Sequence, residues 1–169
     1  MCVFQNWRRY AVHQKRAETG CIPTAYEMIL RSAGMQGIKF ETFQDEFDLD
    51  QNGGVPRNNF DSVAQAIKAK YPDVSFGIES FPKGEGIKKM SRIETLIAQK
   101  RPVIVSLSNA PFKQRGWHIM VVVDATDTDL TLLQHVDERG TPHTMHLSKA
   151  KFVYIHDNFN GGDDIAYLS

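Results

Sequence analysis

The chain has 169 residues, 41% of them hydrophobic and 24% charged, with 20 basic and 20 acidic side chains and therefore no formal net charge. That length is enough to bury a core in one domain without a disulfide or metal staple, and that composition excludes a disordered chain. Neutrality supplies no general field for collecting nucleic acid or an anionic membrane surface, and neither a signal-peptide pattern nor a membrane-length run of about 18 apolar residues is present.

Helical patterns fill the first half. After Gly20, the stretch CIPTAYEMILRSAG carries Ile22, Ala25, Met28, Ile29 and Ala33 at helical spacing, with Pro23 in the first turn and Gly34 as a stop. The spacing predicts a mostly buried helix with Cys21 at its N-terminal end. A shorter helix is expected around Thr42 to Phe47. Asn58 is read as the cap of a surface helix with Phe60, Val63, Ala64 and Ile67 on one stripe, ending at Tyr71 and Pro72. Val74 to Ile78 reads as a short strand. Ser91 with Glu94 forms a capping box ahead of Ile93, Leu96 and Ile97, which predicts a fourth helix ending near Lys100.

From Pro102 the pattern changes to β-branched runs: PVIVSL, WHIMVVVD, LTLLQHVD and TPHTMHL, then FVYIH and IAYL near the end, all read as strands. The turn chemistry of DATDTD and ERG makes consecutive antiparallel pairing the simplest topology. The expected fold class is α+β in two lobes within a single domain, N-terminal helices (about residues 1–100) packed on a C-terminal antiparallel sheet (about residues 101–169).

A cysteine at a helix N-terminus feels the positive end of the helix dipole, which favours thiolate, and a neighbouring imidazolium favours it further. Cys21 holds that position, and Gly20 leaves the sulfur approachable. His118 opens the strand WHIMVVVD after the loop SNAPFKQRG, at a sheet mouth where a ring can face a cleft. The only other cysteine, Cys2, lies near an end and reads as incidental, and both are expected as thiols.

Taken together, Gln14, then GCIPTAYEMIL, then GWHIMVVVD resemble the papain-like cysteine peptidases, most nearly their C39-like branch, over Gln14 to about Gly140. The resemblance implies a papain-like fold with Cys21 as nucleophile, His118 as general base and acid, and Gln14 as side-chain donor of the oxyanion hole. Gln14 stands one residue farther from the cysteine than the family usually shows, and Thr19 holds a position where an acidic residue is common. The third member is expected on the next strand, orienting the His118 ring. A symmetric hairpin register selects Gln134, whereas a slip of one selects Asp137, and the reading leaves both open. The implied function is hydrolysis of a peptide or other amide through an acyl-enzyme. A deamidase or acyltransferase would use the same residues, and a catalytically idle domain binding a peptide or protein partner is the alternative. No cofactor or metal is expected. The expected partner is a peptide or protein substrate, with neither nucleic acid nor membrane, and the expected location is cytoplasmic, with delivery as an effector left open.

Other signals are weaker. DLDQNGGV places oxygens at Asp48, Asp50 and Asn52 before Gly53, as an EF-hand loop does, but Pro56 takes the ninth position and Asn59 the twelfth, where a bidentate Glu is needed. A polar connection is the expectation there. His135, His143 and His146 fall on one hairpin, yet residues three apart on a strand point to opposite faces, which argues against a shared ion. Asp124, Asp127 and Asp129 read as turn acids. The closing loop DNFNGGDD is turn-rich, and its place after the sheet would let it border a substrate groove.

Overall fold

The structure is a computed structural model, and it describes residues 7–52, 59–113, 117–137, 139–160 and 162–169. Five helices, α1 (Cys21–Ser32), α2 (Phe40–Phe47), α3 (Phe60–Lys70), α4 (Gly86–Ala98) and α5 (Lys149–Asn158), surround a six-stranded sheet. Its strands are β1 (Phe76–Ser80), β2 (Val103–Ser108), β3 (Trp117–Ala125), β4 (Asp129–Val136), β5 (Pro142–Ser148) and β6 (Asp164–Leu168). The spatial order is β1-β6-β2-β3-β4-β5, and every pairing is antiparallel. The α+β class and the consecutive hairpins from β2 to β5 match the reading of the sequence. The insertion of β6 between β1 and β2 does not follow from local turn chemistry, because it joins segments some sixty to ninety positions apart.

Helices cover both faces of the sheet. On one face α1, α2 and α3 pack over Ile104, Ile119, Val121, Val123, Leu133 and Ala166. On the other, α4 and α5 pack over Val103, Val105, Leu107, Met120, Val122, Leu132 and Ile165. Strand alternation therefore sends adjacent residues of β2 and β3 into two separate cores, which is why PVIVSL and WHIMVVVD read as continuous apolar runs instead of alternating ones. All six residues of β2 are buried.

Helix boundaries follow local chemistry. The α1 helix buries nine consecutive residues from Ile22 to Leu30, and the chain leaves it through Gly34 at φ +65°. The cap of α3 is Asn59, whose side chain accepts from the Ser62 N–H at 2.7 Å. Asn58, read as that cap, lies outside the described residues, as do Cys2, Gly53 and Pro56. Helix α4 starts at Gly86, five residues before the capping box at Ser91 and Glu94, so both of those residues sit inside it. Asp157 fixes this earlier start by accepting from the Gly84 and Gly86 N–H groups at 3.1 and 2.8 Å, a long-range contact that no local pattern reveals.

FVYIH is a further correction, because it is not a strand but the body of α5. Ser148 caps that helix by accepting from the Lys151 N–H at 3.1 Å, and Phe152, Ile155 and His156 form its buried stripe at spacings of three and four. Among the described residues, no helix is long and apolar enough to cross a membrane.

These two serines separate a real cap from an apparent one. Ser148→Ala should lower stability by about 1 kcal/mol through loss of the cap. Ser91→Ala, at an exposed mid-helix position, should leave it within about 0.5 kcal/mol. Urea denaturation of the two variants and the parent measures both.

Candidate active site

Cys21 is the first residue of α1, and the eight residues before it form a loop pinned to α2. The pin is Gln44, a buried side chain on α2 with all four of its hydrogen-bonding positions filled. Its Oε1 accepts from the Lys15 N–H at 2.9 Å and from the Thr24 hydroxyl at 2.9 Å. Its Nε2 donates to His13 O and to Glu27 Oε2, each at 2.8 Å. Thr24 shares its single proton, because its hydroxyl also lies 2.6 Å from Gly20 O. One amide thus joins the loop at His13 and Lys15 to the first turns of α1.

A second set of contacts fixes the last part of the loop. Asp48, 1% exposed, accepts from the Thr19 hydroxyl at 2.6 Å and faces Arg16 Nη1 at 3.5 Å. Arg16 and Lys15 also pair with Asp45 at 3.0 and 2.9 Å. Asp48, which opened the calcium-like segment in the sequence, is thereby committed to holding the cysteine loop. Asn59, the twelfth position of that segment, is committed to the α3 cap.

Gly20 is required by crowding, not by its torsion angle. A Cβ there would lie 2.7 Å from Arg16 O and 3.3 Å from Gln14 Cγ. This places the Gln14 side chain against the residue that precedes the nucleophile candidate. Its amide nitrogen donates to Arg16 O at 2.7 Å and to Ala17 O at 3.1 Å, so both of its protons are engaged by the loop's own carbonyls.

The Cys21 thiol is half-buried, and its pKa is raised. Burial is the largest cause, and the negative charges of Asp48 and Asp50 push the same way. The backbone N–H groups of Ile22 and Cys21 pull it down, as the start of a helix should, but they do not prevail. Helix position alone predicts the opposite direction.

His118 is half-buried at the second position of β3, paired in register with Leu107 of β2. A groove of about 320 Å³ brings the two candidate segments together. Ile22, immediately after Cys21, lines it, and so do Trp117 and Ile119, the residues on either side of His118. Phe60, Ser106, Gly162, Asp163 and Asp164 complete most of the wall. Tyr26 of α1 sets the position of Phe60 by donating from its hydroxyl to Phe60 O at 2.7 Å. Trp117 is 61% exposed, an unusual state for so large an apolar ring.

Gln134 and Asp137 stand in different settings. Gln134 occupies a β-bulge of β4, where the register with β5 shifts between Leu133 and His135. Asp137 accepts from the Arg139 and Thr141 N–H groups at 2.9 Å each and lies 3.4 Å from His143 Nε2. These contacts hold its carboxyl below the usual range, the Thr141 N–H contributing most. Past the bulge, His135 and His143 stack with ring centroids 5.1 Å apart and planes within 7°. The His135 pKa is lowered, first by burial and then by the charges of His143, His118 and His13. His118 and His13 therefore both lie within electrostatic reach of His135. Among the described residues, no three His, Cys, Asp or Glu side chains converge as a metal-binding group.

Sequence reasoning missed Gln44, whose role depends on partners 17 to 31 positions away. The closing loop DNFNGGDD, expected to border a groove, does so through Gly162, Asp163 and Asp164. The family model described as "Peptidase_C39 like family" matches residues 4–158 of the chain. No curated protein matches it.

Two substitutions test this geometry. Gln44→Leu should cost about 2–4 kcal/mol, because it leaves His13 O, the Lys15 N–H and Glu27 without their buried partner, and thermal melting measures it. Asp48→Asn removes a negative charge beside the thiol while keeping an acceptor for Thr19. The thiolate is then less disfavoured, so the pH midpoint for iodoacetamide labelling of Cys21 should move down, as followed by peptide mass.

Proposed function

Because the chain belongs to the Peptidase_C39 like family, we propose that it is a cysteine-dependent hydrolase of peptide or other amide bonds, with Cys21 as nucleophile and His118 as its base. The observation that carries this reading is the shared groove. The residue after Cys21 and the residues flanking His118 line one open cavity, so the two segments border the same substrate-sized space, although Cys21 and His118 themselves are not among the residues that line it.

In this reading His118 takes the thiol proton as Cys21 Sγ attacks the carbonyl carbon. A thiol raised by burial makes that base essential, since little thiolate stands ready beforehand. The carbonyl oxygen gains negative charge and accepts from the Cys21 N–H. Gln14 would add a second donor once its amide turns from the carbonyls of Arg16 and Ala17 toward the groove. His118 then returns the proton to the leaving amine, and the thioester remains. Water attacks that acyl group with its proton passing to His118, the acid departs and the proton returns to Cys21. Orientation of the His118 ring falls to Gln134 or Asp137.

One observation favours a second reading, in which the groove binds a peptide without cleaving it: the thiol is half-buried and feels the charges of Asp48 and Asp50, which disfavours the nucleophilic form. Iodoacetamide labelling separates the two. A catalytic Cys21 should label faster than Cys2 and lose that advantage in His118→Ala. Equal, slow labelling of both cysteines that is indifferent to His118 would establish the binding domain.

With a cleaved peptide in hand, Cys21→Ala and His118→Ala should each reduce kcat by about 10⁴-fold or more. Gln14→Ala should reduce it by about 10²-fold. Of Gln134→Ala and Asp137→Ala, the one that lowers kcat at least tenfold without changing the fold identifies the orienting residue, and no loss in either removes both.

A further inference from the structure

The groove has a chemical asymmetry that the proposed reaction does not use. Its walls are apolar, built from Ile22, Phe60, Trp117 and Ile119. The lining also carries Asp163 and Asp164, just before and at the start of β6. Asp163 is exposed and Asp164 half-buried, and among the described residues neither carboxylate has a hydrogen bond or an ion pair.

The floor beneath them is rigid. Gly162, at φ +89°, lies so close to β2 that a Cβ would sit 2.7 Å from Ser106 O. Lys89 of α4, with 0% exposure, reaches up from the opposite core and donates to both Ser106 O and Gly162 O. This lysine senses the acidic pair, because Asp163 and Asp164 both favour its charged form. Burial nevertheless pushes it down to about 7, so it is only part-charged at neutral pH. Among the described residues, two carboxylates and one part-charged buried ammonium give this part of the groove a negative balance.

A cavity of about 320 Å³ is at the small end of ligand-sized sites, roughly 300–1,000 Å³, and suits one long side chain better than a folded surface. Building on the hydrolase reading above, we propose that the groove selects peptide substrates by a lysine or arginine side chain, its stem lying against Phe60, Trp117 and Ile119 and its cation meeting Asp163 and Asp164. The exposed Trp117 ring adds an attractive face for the same cation. A glutamate of similar length would fit the walls and be repelled by the acidic pair, and an uncharged isostere would gain the walls alone.

The test uses tripeptidyl acyloxymethyl ketones that carry Lys, Arg, norleucine or Glu at each position in turn, with labelling of Cys21 read by mass spectrometry on the full chain. At one position the Lys and Arg probes should label about tenfold faster than norleucine, and Glu more slowly than norleucine. Asp163→Asn with Asp164→Asn should bring the Lys-to-norleucine ratio close to one. In the parent protein the ratio should also shrink between low salt and about 0.5 M salt, a measurement that needs no variant. Norleucine labelling as fast as Lys at every position overturns the cation preference and leaves the hydrolase reading standing. Failure of every probe to label Cys21, while iodoacetamide does, removes both.

Discussion

The geometry of the candidate site depends on one buried amide. Gln44, itself buried, fills all four of its hydrogen-bonding positions with groups drawn from the cysteine loop and from α1. A polar network in such a setting specifies one arrangement strongly, because any alternative strands several buried groups at once. The salt bridges of Lys15 and Arg16 to Asp45 lie nearer solvent and contribute less. The approach of Gln14 to Gly20 and the start of α1 at Cys21 follow from this arrangement.

The same scaffold places opposing influences on the sulfur. The start of a helix favours thiolate, whereas burial and the nearby Asp48 disfavour it, and burial is the largest. Asp48 cannot simply be dispensed with, since it holds Thr19 and Arg16 in the loop that leads to Cys21. Placement of the loop and readiness of the thiol therefore pull against each other in a single carboxylate. The compromise makes a partner base the deciding element for any chemistry at Cys21.

Much of the architecture was legible because it was written locally. Ile22 through Ala33 carried the period of a helix, Gly34 its stop, and the β-branched runs from Val103 onward carried strands in the correct order. What escaped was fixed by distant partners. Asp157 resets the start of α4, and the buried stripe of α5 outweighs the β-branched look of FVYIH. The place of β6 is chosen by Ile165 and Ala166, which fit two cores at once. Within the candidate site, the positions of Cys21 at a helix start and of His118 at a strand mouth were legible. Gln44 did not, because a glutamine on a short amphipathic helix carries no local mark of the contacts it makes. The direction of the Cys21 shift also escaped, because sequence shows the helix start but not the depth of burial.

The position of β6 bears on how the molecule is assembled. This strand is last in chain order, yet it lies between the first and second, so β1 has no neighbour on that side until everything from α4 through α5 has been threaded past. During synthesis the sulfur-bearing helix can settle on its local partners early. The groove, whose acidic pair belongs to the segment entering β6, closes only when that final ribbon zips in. In a nascent chain the helix that begins at Cys21 is thus made well before the segment that brings Asp163 and Asp164 to the groove.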